Sequence, residues 1–285
     1  MRKTASFILA VLIALTSPAV KASEKEGQTT KVKGNTTYVS KQYNLKDFDK
    51  LSINGMLDVE YIQKQGKPEV TLFTSSNLLD LIIVEVNNGR LETSIKKGYS
   101  ITKAKYLTLR ISSPTLNEID VKGMASIDVI GKLQQDDLSV TVSGAADVEA
   151  EEIILNKNMA INVKGAADFN LANLSLGTLT MDVSGAGEID IDNLKALEVN
   201  ANVSGAGEME LSGTTQKARF TMSGAGEIDA EDLVASEVEA SASGMGTVTC
   251  HAKDKIKAHR SGMGSVKYKG NPSDKDISRG VKAID

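Results

Sequence analysis

Eight carboxylates recur at fixed positions in the second half of the chain, and their spacing makes them the first candidates for chemistry. Each follows the first glycine of a Ser-Gly-Ala-Gly-like segment by three or by five residues. They are Asp147, Asp168, Glu188, Glu208 and Glu227 at the first position, and Asp190, Glu210 and Asp229 at the second. Side chains of an extended strand alternate between its faces, so both positions share one outer face. Stacked about 4.8 Å apart, such carboxylates would repel each other. Neighbouring lysines, raised pKa values or weakly bound Ca²⁺ are the three ways to relieve this repulsion.

Other reactive side chains are few. Cys250 is the only cysteine, and it occupies a repeat position that is apolar in other copies, which predicts a buried thiol. His251 and His259 are the only histidines, and no Ser/His/Asp or metal-ligand spacing accompanies them. The Gly-Ala-Gly segments lack the third glycine and the following helix of a phosphate-binding loop. We therefore predict no catalytic and no cofactor-binding residues, with weak Ca²⁺ binding by the eight carboxylates as the one open cofactor.

The elements that position these carboxylates follow from the repeat itself. Its anchor glycines recur about every twenty residues, at Gly123, Gly144, Gly165, Gly185, Gly205, Gly224, Gly244 and Gly262. The residue four places after each anchor is apolar, and so are most residues two and four places before it. Alternation with period two around a small-residue corner indicates strand, corner, strand. A period of this length indicates stacked coils. The sequence thus predicts an all-β fold, a parallel β-helix (β-solenoid) with coils of about twenty residues.

Five regions are predicted along the chain. They are a signal peptide at 1–22, a flexible polar leader at 23–45, a β-rich N-terminal part at 46–116 that caps the solenoid, the solenoid repeats at 117–270, and a C-terminal cap or tail at 271–285. Asn87-Asn88-Gly89 predicts a hairpin turn, and a first coil is expected to begin at Gly55. Arg2 and Lys3, an apolar run and Val20-Lys21-Ala22 form the signal-peptide pattern.

Cleavage after Ala22 makes the protein exported, to the periplasm, the cell surface or the medium. The remaining 263 residues carry 30 basic and 37 acidic side chains, a formal charge of −7. This balance argues against nucleic acid and anionic membranes as partners. No later stretch is long and apolar enough for a transmembrane span after signal removal.

A resemblance to a known family rests on an ordered series of short motifs. The series is Phe48-x-x-Leu51-x-Ile53-x-Gly55-x-x-Asp58-Val59, Asn77-Leu78-Leu79, Gly89-x-Leu91, Ser113-Pro114-x-Leu116-x-x-Ile119, the Ser-Gly-Ala-Gly coils, and Tyr268-Lys269-Gly270-Asn271-Pro272. In this order the chain resembles the exported bacterial proteins called "putative auto-transporter adhesin, head GIN domain". The resemblance implies a β-solenoid exposed at the cell envelope and a role in adhesion.

Two functions from different classes are compatible with an exported β-solenoid. The first is an exported, non-enzymatic adhesin-like or envelope-scaffold protein whose regular outer faces bind an extracellular or cell-surface glycan or protein. The second is a carbohydrate-active enzyme, a lyase or hydrolase, on the same scaffold. A cleft with converging Asp and Lys or Arg side chains would favour the enzyme, and an uninterrupted flat ladder would favour adhesion. Trp is absent and aromatic residues are only 4% of the chain, which leaves few ring faces for stacking on sugars.

Overall fold

A computed structural model describes residues 29 to 284, and within them the fold is the predicted parallel β-solenoid. The expected signal peptide lies outside the described residues. The N-terminal strands are β1 (Thr30–Lys33), β2 (Tyr38–Tyr43), β3 (Lys50–Ile53), β4 (Met56–Gln63), β5 (Glu69–Ser75), β6 (Ile82–Asn87), β7 (Arg90–Ile95), β8 (Tyr99–Lys103) and β9 (Leu107–Ser113), with a 3₁₀ turn at Leu79–Leu81.

The remaining strands form the coils. They are β10 (Glu118–Val121), β11 (Met124–Gln135), β12 (Leu138–Val142), β13 (Ala145–Leu155), β14 (Asn158–Val163), β15 (Ala166–Leu171), β16 (Leu174–Val183), β17 (Ala186–Val203), β18 (Glu208–Met222), β19 (Glu227–Ala242), β20 (Thr247–Arg260), β21 (Ser265–Lys269), β22 (Asp274–Ile277) and β23 (Lys282–Ala283). From β17 to β20 each strand runs from one glycine corner round to the next.

Successive coils pair in parallel and stack like on like. The predicted inward position, four residues after each anchor glycine, is buried in every coil, at Ile127, Val148, Phe169, Ile189, Met209, Ile228, Val248 and Val266. Burying a side chain of this size contributes about 2 kcal/mol. A single coil leaves this inner row half exposed, whereas stacked coils cover it from above and below. The core is therefore one continuous column.

Glycine at the corner is required by the distance between coils. A Cβ added to Gly144, Gly165, Gly185 or Gly205 would overlap the carbonyl oxygen of the equivalent glycine in the preceding coil. The amide of Ala206 donates across the same gap to the carbonyl oxygen of Gly185, at 3.1 Å. The φ angles of these four glycines lie outside the left-handed region. Close approach, rather than an unusual backbone angle, therefore selects glycine at these corners.

The N-terminal part covers the first coil, β3 and β4. Strand β7 pairs with β3 and β9 pairs with β4, both in parallel, while β5 and then β2 add to β9 in antiparallel. Asn88 and Gly89 have φ values of 50° and 75° between paired Asn87 and Arg90, which confirms the predicted hairpin turn. The edge of the first coil is thus covered by other strands.

The polar leader needs correction. Residues 30–33 and 38–43 were expected to be a flexible polar segment, but they form β1 and β2, which pair with β8 and β5. Their backbone hydrogen bonds, together with the contact of Val32 and Tyr43 with the core, order this polar sequence. At the other end, β22 and β23 pair in parallel with β20 and β21, so residues 274–283 add to the last coil. None of the helices within residues 29–284 is long and apolar enough to span a membrane.

Candidate functional site

The eight predicted carboxylates lie in two straight rows on one outer surface, which we call the acidic face. Parallel pairing of strands in successive coils places equivalent residues next to each other and so defines the rows. One row contains Asp58, Ser126, Asp147, Asp168, Glu188, Glu208 and Glu227, and the other contains Glu60, Asp128, Glu149, Asn170, Asp190, Glu210 and Asp229. Asp58 and Glu60 were missed as site residues, although the position of Gly55 in the repeat was the signal that could have found them.

Cations are placed at the ends of the acidic face and not along it. Arg110 Nε donates to Glu60 Oε2 at 2.7 Å at the N-terminal end. At the C-terminal end the second row continues through Thr249 to Lys267. Among the residues that the structure describes, none of the eight predicted carboxylates has a basic partner within 4.0 Å. Neighbouring lysines therefore do not relieve the repulsion between them.

Of the three ways to relieve the repulsion between these carboxylates, the structure supports raised pKa values. Desolvation, followed by the charges of Glu188 and Glu210, raises the pKa of Asp190 to about 6. The pKa values of Asp147 and Glu188 are also raised, first by desolvation and then by neighbouring carboxylates. Among these neighbours, Asp168 has the largest effect on both groups. Charged neighbours of the same sign disfavour ionisation of each group. Part of this face consequently takes up protons in mildly acidic solution.

A metal site is not built into these rows. Between residues 29 and 284, no group of three or more His, Cys, Asp or Glu side chains is arranged to hold a metal ion. The two rows project side by side from one outer surface, whereas Ca²⁺ prefers six to eight converging oxygen atoms. Weak Ca²⁺ binding by these carboxylates stays a prediction from the sequence.

A second outer surface, formed by the strand segments that precede each corner, carries charges of alternating sign. We call it the mixed-charge face. Its rows alternate in sign, with Glu198, Lys217, Glu237, Lys255 and Asp274 in one and Arg219, Glu239, Lys257 and Asp276 in the other. Glu239 accepts from Arg219 Nη2 at 3.0 Å and from Lys257 Nζ at 3.2 Å. Here, stacking of coils produces ion pairs.

The remaining candidates for chemistry are separate from the acidic face. Cys250 is fully buried, as predicted, and burial raises the pKa of its thiol to about 12. His251 Nδ1 lies 3.2 Å from the carbonyl oxygen of Glu231. An open cleft of about 370 Å³ lies at the base of the N-terminal part, where it is lined by Asp47, Asp49 and Lys67 among others. This cleft was not foreseen from the sequence.

Comparison with known proteins assigns the chain to a family. The family model described as "Putative auto-transporter adhesin, head GIN domain" matches residues 47–211 and 159–272. The chain belongs to this family. No curated protein matches the chain.

Several solved structures are similar to this chain. A "putative adhesin" from Parabacteroides merdae has a TM-score of 0.66 at 22% identity, covering 90% of this chain and 100% of its own. A "putative lipid binding protein" from Parabacteroides distasonis has a TM-score of 0.64 at 22% identity, covering 90% and 100%. A "putative adhesin" from Bacteroides fragilis is 29% identical over 89% and 98%, with a TM-score of 0.49. At these identities, the two Parabacteroides structures support the fold alone.

Proposed function

We propose that this protein is exported and acts without catalysis, as an adhesin-like or envelope-scaffold protein that binds an extracellular or cell-surface partner through the acidic face. The partner is a protein or a glycan that presents positive charge. Membership of an adhesin family supports the general role. The observation that carries the proposal is the run of aligned carboxylates without basic partners.

The aligned carboxylates repel one another in the unbound protein. Two like charges about 5 Å apart repel by roughly 3 kcal/mol at an effective dielectric constant near 20, and by less where water screens them. The mixed-charge face shows that this fold accommodates alternating signs at the same coil spacing. A cationic partner laid along the acidic face would relieve the repulsion, and its positive charges would be attracted from a distance.

The test is a binding screen of residues 23–285 against glycans and extracellular matrix proteins at about 0.15 M ionic strength. The variant Glu188→Gln/Glu208→Gln/Glu227→Gln removes three charges from the acidic face. A matched variant, Glu198→Gln/Glu237→Gln/Glu239→Gln, removes three from the mixed-charge face. We expect the first to weaken binding of the recovered partner by about tenfold or more, and the second to leave it within about twofold. Equal weakening by both would reject the acidic face as the binding surface.

The cleft gives the second candidate function, a carbohydrate-active enzyme, one specific observation in its favour. Asp47, Asp49 and Lys67 line it, as an acid–base site would require. Against this role, the carboxylate of Asp49 accepts from Asn117 Nδ2 at 2.9 Å and holds the start of the coil in place. Release of reducing ends from a polysaccharide panel, abolished by Asp47→Asn, would establish the enzyme.

A further inference from the structure

The rows of the acidic face do not stop at the first coil. Asp58 pairs with Thr108, Thr108 with Phe73, and Phe73 with Ser40. Residues paired directly across strands share a face. The outer surface of β9, β5 and β2 is therefore the N-terminal continuation of the acidic face, and a phenylalanine stands where the coils carry carboxylates.

Phe73 belongs to a cluster of three aromatic rings on this surface. The Tyr38 and Tyr106 rings are 5.0 Å apart, nearly perpendicular, and their centroids lie 6.0 and 5.2 Å from that of Phe73. None of the three belongs to the core, and the Tyr106 side chain is 37% exposed. By contrast, five aromatic residues are buried in the core, namely Phe48, Tyr61, Phe169, Phe220 and Tyr268. The cluster thus lies outside the core, with Tyr38 and Phe73 half-buried and Tyr106 exposed.

A positive charge lies beside the cluster. Lys105 is exposed, with its Nζ 5.1 Å from the centre of the Tyr106 ring. Residues 29–116, which contain the cluster, have 13 basic and 8 acidic side chains, whereas the coils at 117–270 have 13 basic and 24 acidic ones. An anionic ligand is therefore repelled by the coils and attracted to this end of the same surface.

We propose that Tyr38, Phe73, Tyr106 and Lys105, which we call the aromatic patch, form a binding site for an acidic glycan. An aromatic ring offers an apolar face on which the C–H side of a pyranose packs, and a tyrosine hydroxyl can donate a hydrogen bond to a sugar oxygen. The Lys105 ammonium pairs with a sugar carboxylate. This site adjoins the N-terminal end of the acidic face, for which the proposed partner has the opposite charge.

The test measures binding of a defined oligogalacturonate, and of its carboxyl-reduced neutral counterpart, to residues 23–285 by titration calorimetry. Tyr106→Ser and Tyr38→Ser should each weaken binding of the acidic oligosaccharide about tenfold. Tyr99→Ser is the matched control, because Tyr99 is equally exposed at 38% but lies outside the patch. It should leave the affinity unchanged. Lys105→Gln should remove the preference for the acidic over the neutral form.

Several outcomes would overturn the proposal. One is absence of binding to the folded wild-type protein, and another is equal weakening by Tyr106→Ser and Tyr99→Ser. A dimer that Tyr106→Ser dissociates would assign the patch to a second copy of the chain instead. The variant Glu188→Gln/Glu208→Gln/Glu227→Gln should bind the oligogalacturonate at least as well as wild type. This result separates failure of the patch from failure of the acidic face.

Discussion

The acidic face and the mixed-charge face share the coils between residues 188 and 239 at the same spacing, yet their charges are arranged in opposite ways. On the mixed-charge face, Glu239 lies between Arg219 and Lys257 and contacts both. On the acidic face, Glu208 lies between Glu188 and Glu227. Parallel stacking imposes the alignment of side chains but not the sign of their charges. The like-charged rows are therefore a property of this surface and not a requirement of the solenoid.

The largest expected effect tests the inward–outward alternation on which both faces depend. Ile228→Asp places a carboxylate in the dry core column and should lower the free energy of unfolding by about 4 kcal/mol. Asp229→Asn, one residue further on, changes a half-buried outer position by less than about 1 kcal/mol. Chemical denaturation of both variants measures the difference. Similar losses would mean that the two positions are not on opposite sides of the strand.

The next effect concerns the corner that joins the two faces. Gly205→Ala introduces a Cβ against the carbonyl oxygen of Gly185, and relief requires the coils to separate. We expect a loss of about 3 kcal/mol, as for an overpacked core. Ala206→Ser at the adjacent exposed position should change stability by about 0.5 kcal/mol at most. Thermal unfolding compares the two, and a tolerated Gly205→Ala would show that the corner has room to spare.

A smaller effect, an increase in stability, is expected when the charge of Asp190 on the acidic face is removed. Folding raises the pKa of Asp190 from its ordinary 3.8 to about 6, so the folded protein holds this proton more tightly than the unfolded chain. Ionised Asp190 therefore destabilises the fold, and this destabilisation has its full size above pH 6 and disappears as the pH falls below about 4. Asp190→Asn should raise stability by about 1 kcal/mol at pH 7, allowing for solvent screening, and by almost nothing at pH 4. A gain that does not change with pH would contradict this origin.

The smallest effect compares single charges on the two faces. Glu239→Gln removes two surface ion pairs and should lower the free energy of unfolding by about 0.5 kcal/mol. Glu208→Gln removes a like-charged neighbour and should raise it by a similar amount. Denaturation at low salt resolves the two signs, and both shifts should shrink when salt is added. Shifts of the same sign would remove the distinction between the faces.

The coils were predictable from the sequence because a strict period of about twenty residues fixes both the stacking and the inward positions. The alternation that placed Ile189 and Ile228 inside also placed Glu188 and Asp229 outside, so the rows of carboxylates followed at once. Their lack of basic partners did not follow, since it depends on where Lys and Arg side chains of other coils reach.

The N-terminal part was less predictable, because its strands pair across long and irregular separations. Polar Tyr38–Tyr43 gave no strand signal, yet it becomes β2 by adding to β5. The aromatic patch joins residues 38, 73 and 106, which no repeat relates. Low overall aromatic content concealed the fact that three rings meet at one place on the surface.

One pair of melting temperatures at low salt tests whether carboxylate repulsion destabilises the acidic face of the free protein while the mixed-charge face is free of such repulsion. Glu188→Gln/Glu208→Gln/Glu227→Gln and Glu198→Gln/Glu237→Gln/Glu239→Gln make the same chemical change and remove the same net charge. The first should melt roughly 3 °C above wild type and the second below it. Two shifts of the same direction and size would show that only net charge matters, and would contradict the account.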